Sequence, residues 1–121
     1  MENTREKGQE SEDLAANYLL QQGYSILNRN WYCGHNELDI VAQKNGLVAV
    51  VEVRSLYKSS FQEPYQSVNK TKQRAIITAT NSYIRRFNIN DDVRFDIISI
   101  LYSKDGPVIE HIENAFYPMV R

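Results

Sequence analysis

With 121 residues, a net charge of −1, 42% hydrophobic and 24% charged residues, the chain has the size and composition of one globular domain, residues 1–121, and is too short for two ordinary ones. The single cysteine, Cys33, excludes an internal disulfide, and two histidines are too few for a Cys/His zinc site, so any metal would be held by oxygen. The polar opening MENTREKGQESEDL and a longest apolar run of only Leu47 to Val51 argue against a signal peptide or membrane span, and a cytoplasmic protein with no membrane partner is expected.

In chain order, Gln9 to Gln22 carries Leu14, Tyr18 and Leu19 at helical spacing, and Gly23 is a natural residue to follow the helix end. Tyr24 to Tyr32 reads as a strand, and Gly34 marks a turn. NELDIVAQ and LVAVVEVR are β-branched runs on either side of Asn45-Gly46, the strongest short-range signal for a type I′ hairpin. Ser55 to Gln66 lacks periodicity and reads as a loop. From Ser67 to Arg86, Val68, Ala75, Ile76, Ala79 and Tyr83 line one helical face, while Lys70, Arg74, Asn81 and Arg85 line another. VRFDIISIL and PVIEHI follow as strands around Asp105-Gly106. The order α-β-β-β-α-β-β predicts an α/β fold, a mixed sheet with flanking helices.

The hairpin brings acids together. If Asn45 and Gly46 are the turn residues, positions of each cross-strand pair sum to 91, so Asp39 faces Glu52 and Glu37 faces Arg54. The period of two then puts Glu37, Asp39, Glu52 and Arg54 on one face, with Leu38, Ile40, Leu47, Ala49, Val51 and Val53 on the other. Two carboxylates about 5 Å apart repel by roughly 3 kcal/mol at an effective dielectric of about 20. Either one acid keeps its proton or a hard divalent cation sits between the oxygens. The alternative is a solvated face with Glu37 and Arg54 as a weak surface ion pair.

Charge along the chain is uneven. Arg54 to Arg86 holds seven Lys/Arg against one acid, Glu63. A basic stripe on a near-neutral protein can bind phosphate independently of base sequence, with Lys70, Lys72, Arg74, Arg85 and Arg86 as the candidate contacts. Tyr57 and Tyr65 are the foremost candidates for stacking on bases. His35 and His111 read as ordinary polar residues, Cys33 as a small half-buried side chain, and Asp96 as a structural partner for Arg94 or a neighbouring helix.

Asp39, twelve intervening residues and Glu52-Val53-Arg54 follow the spacing of PD-(D/E)xK nucleases. Together with SEDLAANYL, GYSILNRNW, SVNKTKQRAI, VRFDIISI and HIENAF, they give nearly the whole chain a resemblance to the YraN-type family of small bacterial proteins. That family is similar in fold to restriction endonucleases and archaeal Holliday-junction resolvases. The resemblance implies that Asp39, Glu52 and Glu12 hold Mg²⁺ or Mn²⁺ with the Val53 carbonyl, and that Glu37 supports them. It makes Asp39, Glu52 and Arg54 the catalytic set, and Lys72 and Gln73 the pair opening the second helix. Ser11 and Asn36 stand where the family usually has glycine, and Arg54 where lysine is usual. Arginine stays protonated and cannot serve as a base, but it can bind phosphate and stabilise developing negative charge.

The function expected is a metal-dependent endonuclease acting on DNA, including branched DNA, with DNA favoured over RNA. The resemblance to resolvases allows a homodimer. The rivals are a nucleic-acid-binding module that does not cleave and a protein-interaction scaffold.

Overall fold

The computed structural model describes residues 4–57 and 68–118. Five strands, β1 (Ser25–Cys33), β2 (Asn36–Lys44), β3 (Leu47–Tyr57), β4 (Asp92–Ser103) and β5 (Gly106–Phe116), lie side by side in chain order. Neighbours are antiparallel except β3 and β4, which run parallel from Leu47↔Asp92 to Tyr57↔Tyr102. A parallel pair needs a crossover, and α2 (Lys70–Phe87) supplies it, while α1 (Thr4–Gln21) precedes the sheet. The expected element order and mixed sheet are both present.

Each helix covers one face of the sheet. Ala15, Ala16 and Leu19 of α1 pack with Ile40, Ala42, Ala49, Val51, Ile98 and Ile100. The alanines on both sides of this contact let the helix lie close to the strands. Ile76, Ala79 and Tyr83 of α2 pack on the opposite face with Leu38, Val41, Val48, Val50, Phe95 and Ile97. Buried on both faces, β3 and β4 are therefore near-continuous apolar runs, as central strands should be.

Local chemistry explains most boundaries. Gly23, at φ 93°, follows α1, and the Tyr24 N–H returns to the Leu19 carbonyl at 3.0 Å. Asn45 and Gly46 both have positive φ, 51° and 77°, as a type I′ turn requires. The register then follows the expected rule from Lys44↔Leu47 to Ile40↔Val51.

Several boundaries differ from the expected ones. The first helix starts at Thr4 rather than Gln9, β5 continues to Phe116, and α2 begins at Lys70 behind the N-cap Asn69 rather than at Ser67. Ser55 to Tyr57, expected in a loop, belong to β3 because β4 extends their ladder in parallel. The rest of that expected loop, residues 58–66, lies outside the described residues, as does Tyr65.

The alternation of β2 also differs from expectation. Ile40 packs against α1 but Leu38 against α2, so the two are on opposite faces rather than together. On the paired strand β1, Asn30 takes a left-handed conformation, φ 51°, between Arg29↔Ile40 and Trp31↔Leu38. Trp31 consequently turns to Tyr83 and Phe87 of α2, while Arg29 reaches Asp13 of α1. The inside-outside pattern reverses at the level of Asn30 and Asp39.

Candidate functional site

The common ladder of β2 and β3 ends at Ile40↔Val51, one pair short of Asp39 and Glu52. Beyond that point β2 stays paired with β1 to Cys33↔Asn36, and β3 with β4 to Tyr57↔Tyr102. The central hairpin therefore opens, and its unpaired backbone becomes available to side chains. Asp39 takes one such group: its Oδ2 accepts the Val53 N–H at 2.9 Å. A carboxylate thus replaces a strand at the opening.

Acids gather around this opening from three elements. Glu12 on α1 and Glu37 and Asp39 on β2 each offer a carboxylate oxygen within 4.8 Å of the others. Glu52, only 4% exposed, meets Asp39 in a carboxyl–carboxyl hydrogen bond. Ladder pairing of Asp39 with Glu52 is thus absent, but their side chains still meet. The expected Glu37–Arg54 pair does not form: Arg54 Nη2 lies 3.2 Å from Glu52 Oε2, while the Tyr32 hydroxyl and Lys72 favour the ionised form of Glu37.

All four carboxyls are pushed above their ordinary range, with burial as the largest cause each time. Glu52 is pushed up to about 8 by burial and by the neighbouring Asp39, against the opposing pull of Arg54 and Lys72. Asp39 is raised less freely, because the Val53 N–H, the Glu52 carboxyl and the Lys72 and Arg54 charges all favour its ionised form. The two carboxyls hold one proton between them. Without a cation, proton sharing is how the cluster limits its repulsion.

These donors suit a hard cation. Every ligand atom on offer is oxygen, and Glu12 Oε1 is buried with no hydrogen-bond partner among the described residues; its nearest cation, Arg29 Nη2, is 3.8 Å away and bonded to Asp13 at 2.7 Å. Glu12, Glu37 and Asp39 form the tightest oxygen set, while Glu52 sits beside them against the two cations.

Cations reach the cluster from β3 and α2. Lys72 Nζ lies 3.7 Å from the same Glu52 Oε2 that Arg54 approaches. Lys72 is a candidate phosphate contact with Lys70, Arg74, Arg85 and Arg86; those four are exposed, whereas Lys72 turns toward the sheet. Its spacing carries the signal: Lys72, Ile76, Ala79 and Tyr83 recur at i, i+4, i+7 and i+11, the buried stripe of α2. Gln73 does not point outward either, since its amide donates to the Val68 carbonyl at 3.0 Å.

Three neighbours have no obvious sequence signal. Asn30, at the reversal of β1, favours the ionised form of Glu12. Tyr32, 62% exposed, borders the cluster through Glu37. Ser11 is buried with its Oγ 2.5 Å from Ser55 Oγ and 2.9 Å from the Tyr102 hydroxyl. Its hydroxyl is satisfied in a knot tying α1 to β3 and β4. Tyr57, half exposed, stacks on Tyr102 instead of standing alone.

A three-layer α/β protein with a carboxylate cluster where its central hairpin opens, flanked by a basic helix, is the class these features define. Residues 11–100 match the uncharacterised protein family UPF0102, the YraN-type family, and the chain belongs to it. It is 46% identical to a UPF0102 protein of Phocaeicola vulgatus over 95% of both chains. It is 40% identical to one of Parabacteroides distasonis over the full length of both, and 36% identical to one of Flavobacterium psychrophilum over 91% of this chain and 92% of that one.

Proposed function

We propose that the chain is a metal-dependent endonuclease acting on DNA. The observation that carries this reading is the opened hairpin, where Glu12, Glu37, Asp39 and Glu52 converge opposite Arg54 and Lys72. Four mutually repelling acids in a partly buried site cost stability, and two cations weakly engaged with one oxygen do not offset that cost. A ligand that is itself positive fits the acids, and a phosphodiester fits the cations.

Glu12, Glu37 and Asp39 would hold Mg²⁺ or Mn²⁺, with Glu52 and the Val53 carbonyl completing the set. When bound, such an ion neutralises the acids and draws charge from a phosphate oxygen. The chain's own residues supply the rest. The Val53 N–H fixes the Asp39 carboxylate, and Arg54 holds Glu52. The exposed Lys70, Arg74, Arg85 and Arg86 of α2 grip backbone phosphates on either side. In hydrolysis the oxygen of a water bonds to phosphorus and one phosphorus–ester bond breaks, its electron pair leaving on the ester oxygen. The water's proton goes to solvent, and the departing oxygen takes one from solvent.

Incubating the pure chain with linear, flapped and four-way DNA in Mg²⁺ and Mn²⁺ tests this. Cleavage by the wild type and its loss in Asp39→Ala is the expected result. An inert wild type, or equal cleavage by the variant, rejects catalysis. Salt-sensitive DNA binding that persists without metal and in Asp39→Ala would instead favour a binding module, a reading supported by an arginine at position 54 that cannot act as a base.

A further inference from the structure

Two cations meet Glu52 in the acid cluster, and they are placed for different tasks. Arg54 rises from β3 two residues beyond Glu52, with Nη2 at 3.2 Å from Glu52 Oε2 and Nε buried without a hydrogen-bond partner among the described residues. Its head is packed inward and directed along Glu52. Lys72 instead arrives from across the opening, on the sheet-facing stripe of α2. Its side chain is 40% exposed, and Nζ sits 3.7 Å from Glu52 Oε2, beyond hydrogen-bond range. Among the described residues no hydrogen bond takes up the ammonium's donors.

The backbone under Lys72 is held firmly. Its N–H donates to the Asn69 side chain at 2.9 Å, the Gln73 N–H to the Asn69 carbonyl at 2.9 Å, and the Gln73 amide to the carbonyl of buried Val68. The first turn of α2 contains no acid, so the positive end of the helix dipole adds to the lysine charge. The reach of the two cations differs as well. Lys72 favours the ionised forms of Glu37, Asp39 and Glu52, whereas Arg54 acts on Asp39 and Glu52. Lys72 thus comes to Glu52 from α2, and Arg54 from the same strand as Glu52.

We propose that Lys72, reaching in from α2, is the residue that contacts the scissile phosphate, while Arg54 is a positioning residue for Glu52. The proposal rests on reading the cluster as a hydrolytic site. As the water oxygen bonds to phosphorus and the ester bond breaks, negative charge grows on the non-bridging and departing oxygens. A fixed ammonium donates hydrogen bonds to them without giving up its proton, so a lysine suffices here and need not act as a base.

The test uses the full chain and its Lys72→Gln, Lys72→Arg, Arg54→Gln and Lys70→Gln variants. One arm is single-turnover cleavage of a labelled DNA in Mn²⁺. The other is anisotropy of the same DNA in Ca²⁺ across a salt series. Loss of a donor to the reacting phosphate is expected to slow Lys72→Gln by about 10²–10³-fold, with at least tenfold regained in Lys72→Arg. Lys70→Gln is expected to weaken binding and lower the slope, with a smaller loss of rate than Lys72→Gln. In the salt series Lys72→Gln lowers the log–log slope by about 0.9, one phosphate contact. A Lys72→Gln rate equal to wild type overturns the proposal, and so does an unchanged slope. A wild type that cleaves nothing removes the nuclease reading itself, and the slope alone then decides whether Lys72 touches phosphate.

Discussion

The sheet carries buried carboxylates in two places, and the two are treated in opposite ways. Asp96 on β4 is fully buried and saturated: Arg94 donates to both its oxygens at 2.8 Å, His111 Nε2 lies 2.8 Å away, and the Asn114 N–H donates at 3.2 Å. Arg94 is itself held by the Tyr24 hydroxyl at 2.6 Å, and His111 by that of Tyr18 at 3.2 Å. Burial pushes Asp96 up, but the bonds from His111, Arg94 and Asn114 outweigh it and leave the group below its ordinary value. In the acid cluster burial wins, and all four carboxyls rise. A carboxylate given every partner it can use is part of the framework; four acids crowded together, with Glu12 Oε1 unpartnered among the described residues, mark a place kept for something else.

Substitution should separate the two regions most strongly. Asp96→Asn leaves Arg94 in a half-filled buried network and is expected to cost about 3–5 kcal/mol, or roughly 10–20 °C in Tm. Asp39→Asn, which removes a charge from the cluster, and Glu52→Gln, which imitates the protonated acid, should be neutral or stabilising in metal-free buffer. Urea unfolding of the three variants measures the contrast. A cluster substitution as damaging as Asp96→Asn would show that the acids serve the fold.

Metal should act on one region alone. At a concentration of Mn²⁺ one hundred times its Kd, the wild type is expected to gain about 2.7 kcal/mol, read as a rise in Tm. Asp39→Asn should lose that gain.

The pH dependence should also have opposite signs. Asp96 is depressed in the folded chain, so its contribution is complete above its unfolded value and is lost as pH falls through the folded one. Glu52 is raised, so its contribution is complete below its unfolded value near 4.5 and is lost as pH climbs toward about 8. Glu52→Gln is therefore expected to gain stability over wild type at pH 9 relative to pH 5. Parallel curves for the two proteins in metal-free denaturation at both pH values would refute the raised Glu52.

The legible parts of the molecule were those set by local chemistry. Asn45-Gly46 fixed the turn and, through it, the register as far as Ile40↔Val51; the stripe of Ile76, Ala79 and Tyr83 fixed the inner face of α2. Non-local pairing was not legible. Nothing within Ser55 to Tyr57 announces a strand, because their ladder is provided by β4, on the far side of α2 in sequence. The reversal at Asn30 escaped the alternation rule, since a left-handed residue inside a strand leaves no mark on the hydrophobic pattern. The candidate site was legible as a set of residues more than as an arrangement. Asp39, Glu52, Glu37 and Glu12 do converge, but through an opened hairpin in place of a cross-strand pair. Charge grouped Lys72 with the other candidate phosphate contacts, while its spacing with Ile76, Ala79 and Tyr83 turns it toward the acids.

The smallest expected effect on stability gives the finest test of the contrast. Asn69 caps α2 with an extended backbone, φ −75° and ψ 175°, and its side chain accepts the Lys72 N–H. Asn69→Ala should cost about 1 kcal/mol, far less than Asp96→Asn, because the helix stays anchored by Ile76, Ala79 and Tyr83. Its effect on cleavage should nevertheless be larger than that of Asp96→Asn at a temperature where both variants remain folded, since the cap fixes the one lysine that α2 sends toward the acids. Asn69→Asp, which keeps the cap, should restore the fold and most of the rate. If the alanine and aspartate variants cleave alike, the position of Lys72 does not depend on the cap, and α2 contributes charge to the site without contributing geometry.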